Sequence, residues 1–148
     1  MFDVTPMAGA LGAEITGIDL AQDLQPEQVG ALRTLLNDHE VIFFRDQDIS
    51  PARQHALASC FGPLQTHPAY ATIEGFPEIT ILESTAEKPT KIEAWHSDMT
   101  FRQHPPMATV LKSVIIPPRG GDTLWASMTA AYNALSAPMQ RLLEGLVA

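Results

Sequence analysis

At 148 residues, with 45% hydrophobic and 18% charged content, the chain has the size of one domain or part of one and enough apolar residues to bury a core. Seventeen acidic residues against nine basic give a formal net charge of −8, the opposite of a nucleic-acid footprint. The single cysteine, Cys60, excludes an intrachain disulfide, and no run approaches the roughly 20 apolar residues of a membrane span.

Short apolar pieces broken by Gly9, Gly12 and Gly17 predict two short strands, at 4–6 and 13–17. Pro26 then suits the first turn of a helix, where its missing N–H costs nothing, and Glu27 favours the positive end of the helix dipole. Val29, Leu32, Leu35 and Leu36 fall on one face of that helix. The dense run 40–45, Glu40-Val41-Ile42-Phe43-Phe44-Arg45, reads as a buried strand, followed by a turn at 46–48. Ser50-Pro51 is a cap followed by Pro, which predicts a second helix with Ala56, Leu57, Cys60 and Phe61 on its apolar face and a stop at Gly62-Pro63. Cys60 is read there as a small core residue rather than a reactive thiol. Residues 63–78 read as loop, 79–83 as a strand, and 84–93 as a mobile polar surface loop. Strands are predicted around 95–101, at 107–116 and at 122–126, with turns at Pro105-Pro106 and at 117–121. Helices are expected at 129–135 and 138–146, with Ser136 capping the second. Strands that follow one another through turns suggest an antiparallel β core flanked by helices, for which a jelly-roll barrel is one solution.

The most informative segment is Trp95-His96-Ser97-Asp98-Met99-Thr100-Phe101. In a strand, positions i and i+2 share a face, so His96 and Asp98 would aim at one point, with Trp95 and Phe101 on the other side. One imidazole and one carboxylate make two-thirds of a 2-His-1-carboxylate iron site. The plainer reading is that Asp98 simply orients or pairs with His96. Among the other histidines, His104 is too near along the chain to be a remote ligand. His39 suits a helix C-terminus, His55 belongs on a helix surface, and His67 sits in a Pro-bounded loop.

The 95–101 motif resembles the iron-binding motif of the taurine dioxygenase (TauD/TfdA) family of Fe(II)/2-oxoglutarate-dependent oxygenases. The resemblance extends in order along the chain through 12–20, through 41–47, through Phe61-Gly62-Pro63-Leu64 and His67-Pro68-Ala69-Tyr70, and through Gly120-Gly121-Asp122-Thr123-Leu124-Trp125. It implies a mixed α and β fold, the double-stranded β-helix or jelly roll with flanking helices. It implies Fe(II), 2-oxoglutarate as co-substrate and O2. It assigns His96 and Asp98 as iron ligands, Thr123 to a carboxylate of 2-oxoglutarate, and His67 and Tyr70 to a small anionic substrate, taurine or a related sulfonate. The reaction implied is hydroxylation coupled to decarboxylation of 2-oxoglutarate to succinate, with sulfite released where the hydroxylated carbon bears a sulfonate.

The chain also departs from the family pattern. No His follows His104 and the one Arg after Thr123 is Arg141, so the second iron-binding His and the Arg for the distal carboxylate of 2-oxoglutarate have no counterpart. An Asn four positions before the first iron-binding His of the taurine enzyme is replaced by Ile92, which leaves room for other sulfonates, alkyl sulfates or aryloxy-carboxylates. Residues 1–148 are therefore expected to be the N-terminal portion of one such domain, a truncated and inactive fragment with exposed barrel edges. Two other readings stand beside the oxygenase: a catalytically inactive binding or assembly module keeping half of the fold, and a non-iron metal-binding protein of cupin type. The start of the chain lacks a secretion signal, so a cytoplasmic protein is expected, without nucleic-acid or membrane partners and with a homo-oligomer as a further expectation.

Overall fold

The computed structural model describes residues 2–90, 92 and 94–146. The chain divides into two units, one made of Met1–Asp19, Asp23–Gln47 and Ser113–Ala148, the other of Leu20–Gln22 and Asp48–Lys112.

In the first unit β1 (Asp3–Pro6) pairs antiparallel with β2 (Ala13–Thr16), placing Val4 opposite Ile15 and Pro6 opposite Ala13. Gly12 holds φ at +93°, open to glycine at little cost, and its N–H reaches the His39 carbonyl at 2.8 Å while its own carbonyl accepts from Met7. Along β2, Ala13 and Ile15 are buried while Thr16 is exposed, the alternation of a half-covered strand. Helix α1 (Pro26–His39) starts at the proline, as the sequence predicts, and Gln28 closes its N-terminus by accepting from the Gln25 N–H at 2.9 Å. Leu32, fully buried, is the apolar anchor of α1. Glu40 then takes φ +63° and donates its N–H to the Leu36 carbonyl, ending the helix and turning the chain into β3 (Ile42–Phe43). β3 pairs parallel with β2, so the sheet is mixed in the order β1-β2-β3. The dense run at 40–45 thus contributes two paired, half-buried residues rather than a long buried strand.

Two short helices complete this unit, α3 (Met128–Asn133) and α4 (Ala137–Leu143). Ser127, almost fully buried, accepts from the Ala130 N–H at 2.8 Å, which caps α3, and its hydroxyl also donates to Glu40 Oε1 at 2.9 Å. Phe43 and Trp125 meet edge to face at 5.1 Å. The predicted strand at 122–126 has no ladder among the described residues.

In the second unit Ser50 accepts from the Arg53 N–H and Pro51 opens α2 (Pro51–Ser59), with Leu57 buried. Cys60 follows as the helix cap, half-buried, its thiol 3.4 Å from the Ala56 carbonyl. Residues 63–78 are not a plain loop: β4 (Thr72–Ile73) and β5 (Phe76–Thr80) form an antiparallel hairpin turning at Gly75, whose φ is +82°. Pro77 is accommodated because this sheet has two strands among the described residues, so each has a free edge. His55 of α2 is half-buried, not on the open surface; it faces Phe76 and lies 3.6 Å from Glu78. Of the loop expected at 84–93, Lys91 and Glu93 lie outside the described residues. Its described part is exposed and closes on itself, Thr90 bonding to Ser84 Oγ and to the Glu83 carbonyl. The predicted strand at 107–116 also lacks a ladder among the described residues. The result is a mixed α and β fold with two small sheets, in which no jelly roll is formed by the described residues.

Candidate metal centre

His96 and Asp98 converge, though not as the sequence reading supposed. Residues 98–101 form a turn rather than a strand. Met99 adopts φ +58°, a left-handed conformation costing a non-glycine residue about 1–2 kcal/mol, and the Arg102 N–H donates to the Met99 carbonyl at 3.0 Å. His96 and Ser97 precede that turn in irregular backbone, and the two side chains meet where the turn begins, with His96 Nε2 at 3.3 Å from Asp98 Oδ1.

Each partner is oriented by a second contact. His96 Nδ1 lies 2.9 Å from the Ala94 carbonyl. A carbonyl oxygen only accepts, so Nδ1 donates, and the ring, when neutral, presents the Nε2 lone pair toward Asp98. Thr109 Oγ1 donates to Asp98 Oδ2 at 3.1 Å, leaving Oδ1 on the side of the imidazole. A lone pair facing a carboxylate oxygen at this distance is a pair of acceptors that needs a proton or a cation between them. Bonds of about 2.0–2.2 Å to a shared metal, at right angles, place two donor atoms about 3 Å apart. The pair therefore fits as neighbouring N and O ligands of one divalent ion. Among the described residues no group of three or more His, Cys, Asp or Glu side chains is assembled to hold a metal.

The same unit carries the two residues expected to meet substrate. His67 and Tyr70 have ring centroids 4.6 Å apart. The Ala69 N–H donates to His67 Nδ1 at 3.2 Å, so the neutral ring carries its hydrogen on Nε2, where it can donate. Phe101, from the turn that holds Asp98, meets the His67 ring edge to face at 6.1 Å. Two further bonds tie these segments: Arg102 Nη2 to the Thr66 carbonyl at 2.7 Å and Gln65 Nε2 to the His104 carbonyl at 3.1 Å. Thr109, Arg102 and Phe101 were not singled out as contact residues by the sequence. Thr109 lies eleven positions from Asp98 in a segment expected only to be a strand. Thr123 belongs to the other unit, exposed and two positions after the paired glycines Gly120 and Gly121, both at positive φ. No helix among the described residues is long and apolar enough to cross a membrane.

A profile of the taurine catabolism dioxygenase TauD, TfdA family matches residues 3–148. The chain is 37% identical over 145 residues to the alpha-ketoglutarate-dependent sulfate ester dioxygenase of Pseudomonas putida, covering 97% of this chain and 48% of that protein. It is 36% identical over 143 residues to the alkylsulfatase of Acinetobacter baylyi, covering 96% and 44% respectively. A crystal structure from Burkholderia xenovorans, described as that of a candidate alpha-ketoglutarate-dependent taurine dioxygenase, matches with a TM-score of 0.86 at 38% identity, over 98% of this chain and 52% of that one. The chain thus spans about half the length of the curated relatives it matches.

Proposed function

Because the chain belongs to the taurine catabolism dioxygenase TauD, TfdA family, we propose that it supplies the first half of the site of a cytoplasmic Fe(II)- and 2-oxoglutarate-dependent dioxygenase acting on a small anionic substrate, a sulfonate such as taurine or a sulfate ester. The observation that carries this reading is the 3.3 Å approach of His96 Nε2 to Asp98 Oδ1, on the same unit as the His67–Tyr70 pair. Relatives named for sulfate esters and alkyl sulfates support the substrate class. In this reading the jelly roll, the third metal ligand and the Arg for 2-oxoglutarate are completed by residues outside those described, and 1–148 are one portion of a single domain.

His96 and Asp98 hold the ferrous ion, and Thr123 donates its hydroxyl to a carboxylate of 2-oxoglutarate. Once bound, the iron with 2-oxoglutarate and O2 supplies the oxidising chemistry: one oxygen atom enters the substrate C–H bond, the other enters succinate, and CO2 leaves. His67 Nε2–H and the Tyr70 hydroxyl bind the anionic head group, two neutral donors whose hydrogen bonds to an anion are charge-assisted. They fix which C–H bond faces the metal side of the site. The Nδ1–H of His96 stays on the Ala94 carbonyl throughout, which keeps Nε2 free to ligate. Hydroxylation of a carbon bearing a sulfonate gives a product that breaks its C–S bond to an aldehyde and sulfite. The same step on a sulfate ester breaks C–O and gives sulfate.

The test is a panel of sulfonates, alkyl sulfates and aryloxy-carboxylates, offered to the polypeptide that carries this chain at the length of its relatives, reading succinate together with sulfite or sulfate. Succinate formed in step with one released anion supports the reading. Absence of turnover with metal and 2-oxoglutarate bound would favour the binding-module alternative.

A further inference from the structure

We infer that Thr109 is a positioning residue for the metal centre, selecting the single Asp98 oxygen that faces the metal. The inference rests on the reading of His96 and Asp98 as ligands, and it deepens that reading by naming what orients the carboxylate. Asp98 is half exposed, and the residue after it, Met99, sits in a left-handed conformation. A carboxylate so placed is free to rotate unless something holds it. Thr109 Oγ1 holds Oδ2 at 3.1 Å, and the opposite oxygen, Oδ1, is the one 3.3 Å from His96 Nε2. With one oxygen engaged by a hydroxyl, Asp98 ligates through the other alone.

Thr109 can play this part because its own backbone is fixed. The carbonyl of the next residue, Val110, accepts from Gln54 Nε2 of α2 at 3.2 Å, and Lys112 Nζ donates to the Ile49 carbonyl. Ile49 is buried, and Ser50 beside it caps α2. The support runs from a capped helix, through the 109–112 segment, to the carboxylate. Hydrogen bonds to ligating carboxylates raise metal affinity by holding the ligand in place, and their loss typically weakens binding about 10- to 100-fold.

The experiment compares wild type with Thr109→Val, which keeps the side-chain shape and removes the donor, and Thr109→Ser, which keeps the donor. Thr109 is exposed, so both are compatible with the fold. Manganese(II) alone is titrated into the isotopically labelled polypeptide that carries this chain at the length of its relatives, and paramagnetic broadening at His96 and Asp98 gives the affinity. The expected result is binding weakened about 10-fold or more in Thr109→Val and restored in Thr109→Ser, with unchanged amide spectra elsewhere. Wild-type affinity in Thr109→Val, or no recovery in Thr109→Ser, would overturn the inference. If the wild-type chain shows no broadening at His96 and Asp98, the ligand reading itself fails. The Asp98 carboxyl carbon resonance of the metal-free chain then decides the orienting role: a shift in Thr109→Val that Thr109→Ser reverses supports it, and no shift overturns it.

Discussion

His96 Nε2 and Asp98 Oδ1 face each other at 3.3 Å with just over half of each side chain exposed. With side chains this exposed, whatever passes between them is screened by solvent and adds little to stability. His96→Ala and Asp98→Ala are therefore expected to move the urea midpoint little while removing divalent-metal binding. A large loss of stability with metal binding intact would mean that the pair serves the fold and not a ligand.

The His67–Tyr70 pair gives a kinetic expectation. Removing the imidazole donor in His67→Ala takes away a hydrogen bond to an anion worth about 1.5–3 kcal/mol, or roughly 10- to 100-fold in kcat/KM. Tyr70→Phe keeps the ring contact at 4.6 Å and loses the hydroxyl. Steady-state rates with a sulfonate or sulfate ester, measured on the polypeptide at the length of its relatives, are expected to fall in both variants while iron affinity stays unchanged.

Arg102 joins the Asp98 turn to the His67 loop through the Thr66 carbonyl at 2.7 Å. Arg102→Ala removes a charged hydrogen bond worth about 1.5 kcal/mol or somewhat more. The expected signature is faster hydrogen exchange at the Ala69 amide, which bonds to His67 Nδ1, with a smaller effect in Arg102→Lys. Exchange at Ala69 equal to wild type in the alanine variant would show that the loop holds itself.

Ser127 is expected to matter for stability alone. Its hydroxyl caps α3 and bonds Glu40, 87 residues away in sequence. Ser127→Ala removes both contacts and leaves Glu40 in a left-handed backbone conformation without its partner. A loss of about 1–2 kcal/mol is expected by urea denaturation. Combining it with Glu40→Ala in a double-mutant cycle isolates the part owed to the Ser127–Glu40 bond.

The local signals in the sequence were read well where the physics is local. Pro26 and the Ser50-Pro51 pair place the starts of α1 and α2, because caps and N-terminal prolines act within one turn. The 95–101 segment was misread as a strand because its alternation suits a strand, and nothing in the residue type announces that Met99 takes a positive φ. The two side chains still meet, because positions i and i+2 are close neighbours along the chain and need no sheet to approach each other. The hairpin at Thr72–Thr80 was hidden by Gly75 and Pro77, which read as loop residues but sit at its turn and at a free edge. The segments 107–116 and 122–126 have strand-like composition, but a ladder needs a partner that composition cannot supply. His67 and Tyr70 enter the proposal through family resemblance alone, and the Thr109–Asp98 hydrogen bond had no signal in the sequence, because a hydroxyl eleven positions away is placed by tertiary structure.

The most direct test of the shared metal is a manganese(II) titration of the labelled polypeptide that carries this chain at the length of its relatives, beside its His96→Ala and Asp98→Ala variants. Broadening centred on residues 96 and 98 of the wild-type chain, and lost in both variants, is the predicted result. Broadening spread over other acidic residues, or left unchanged by either substitution, would contradict the account.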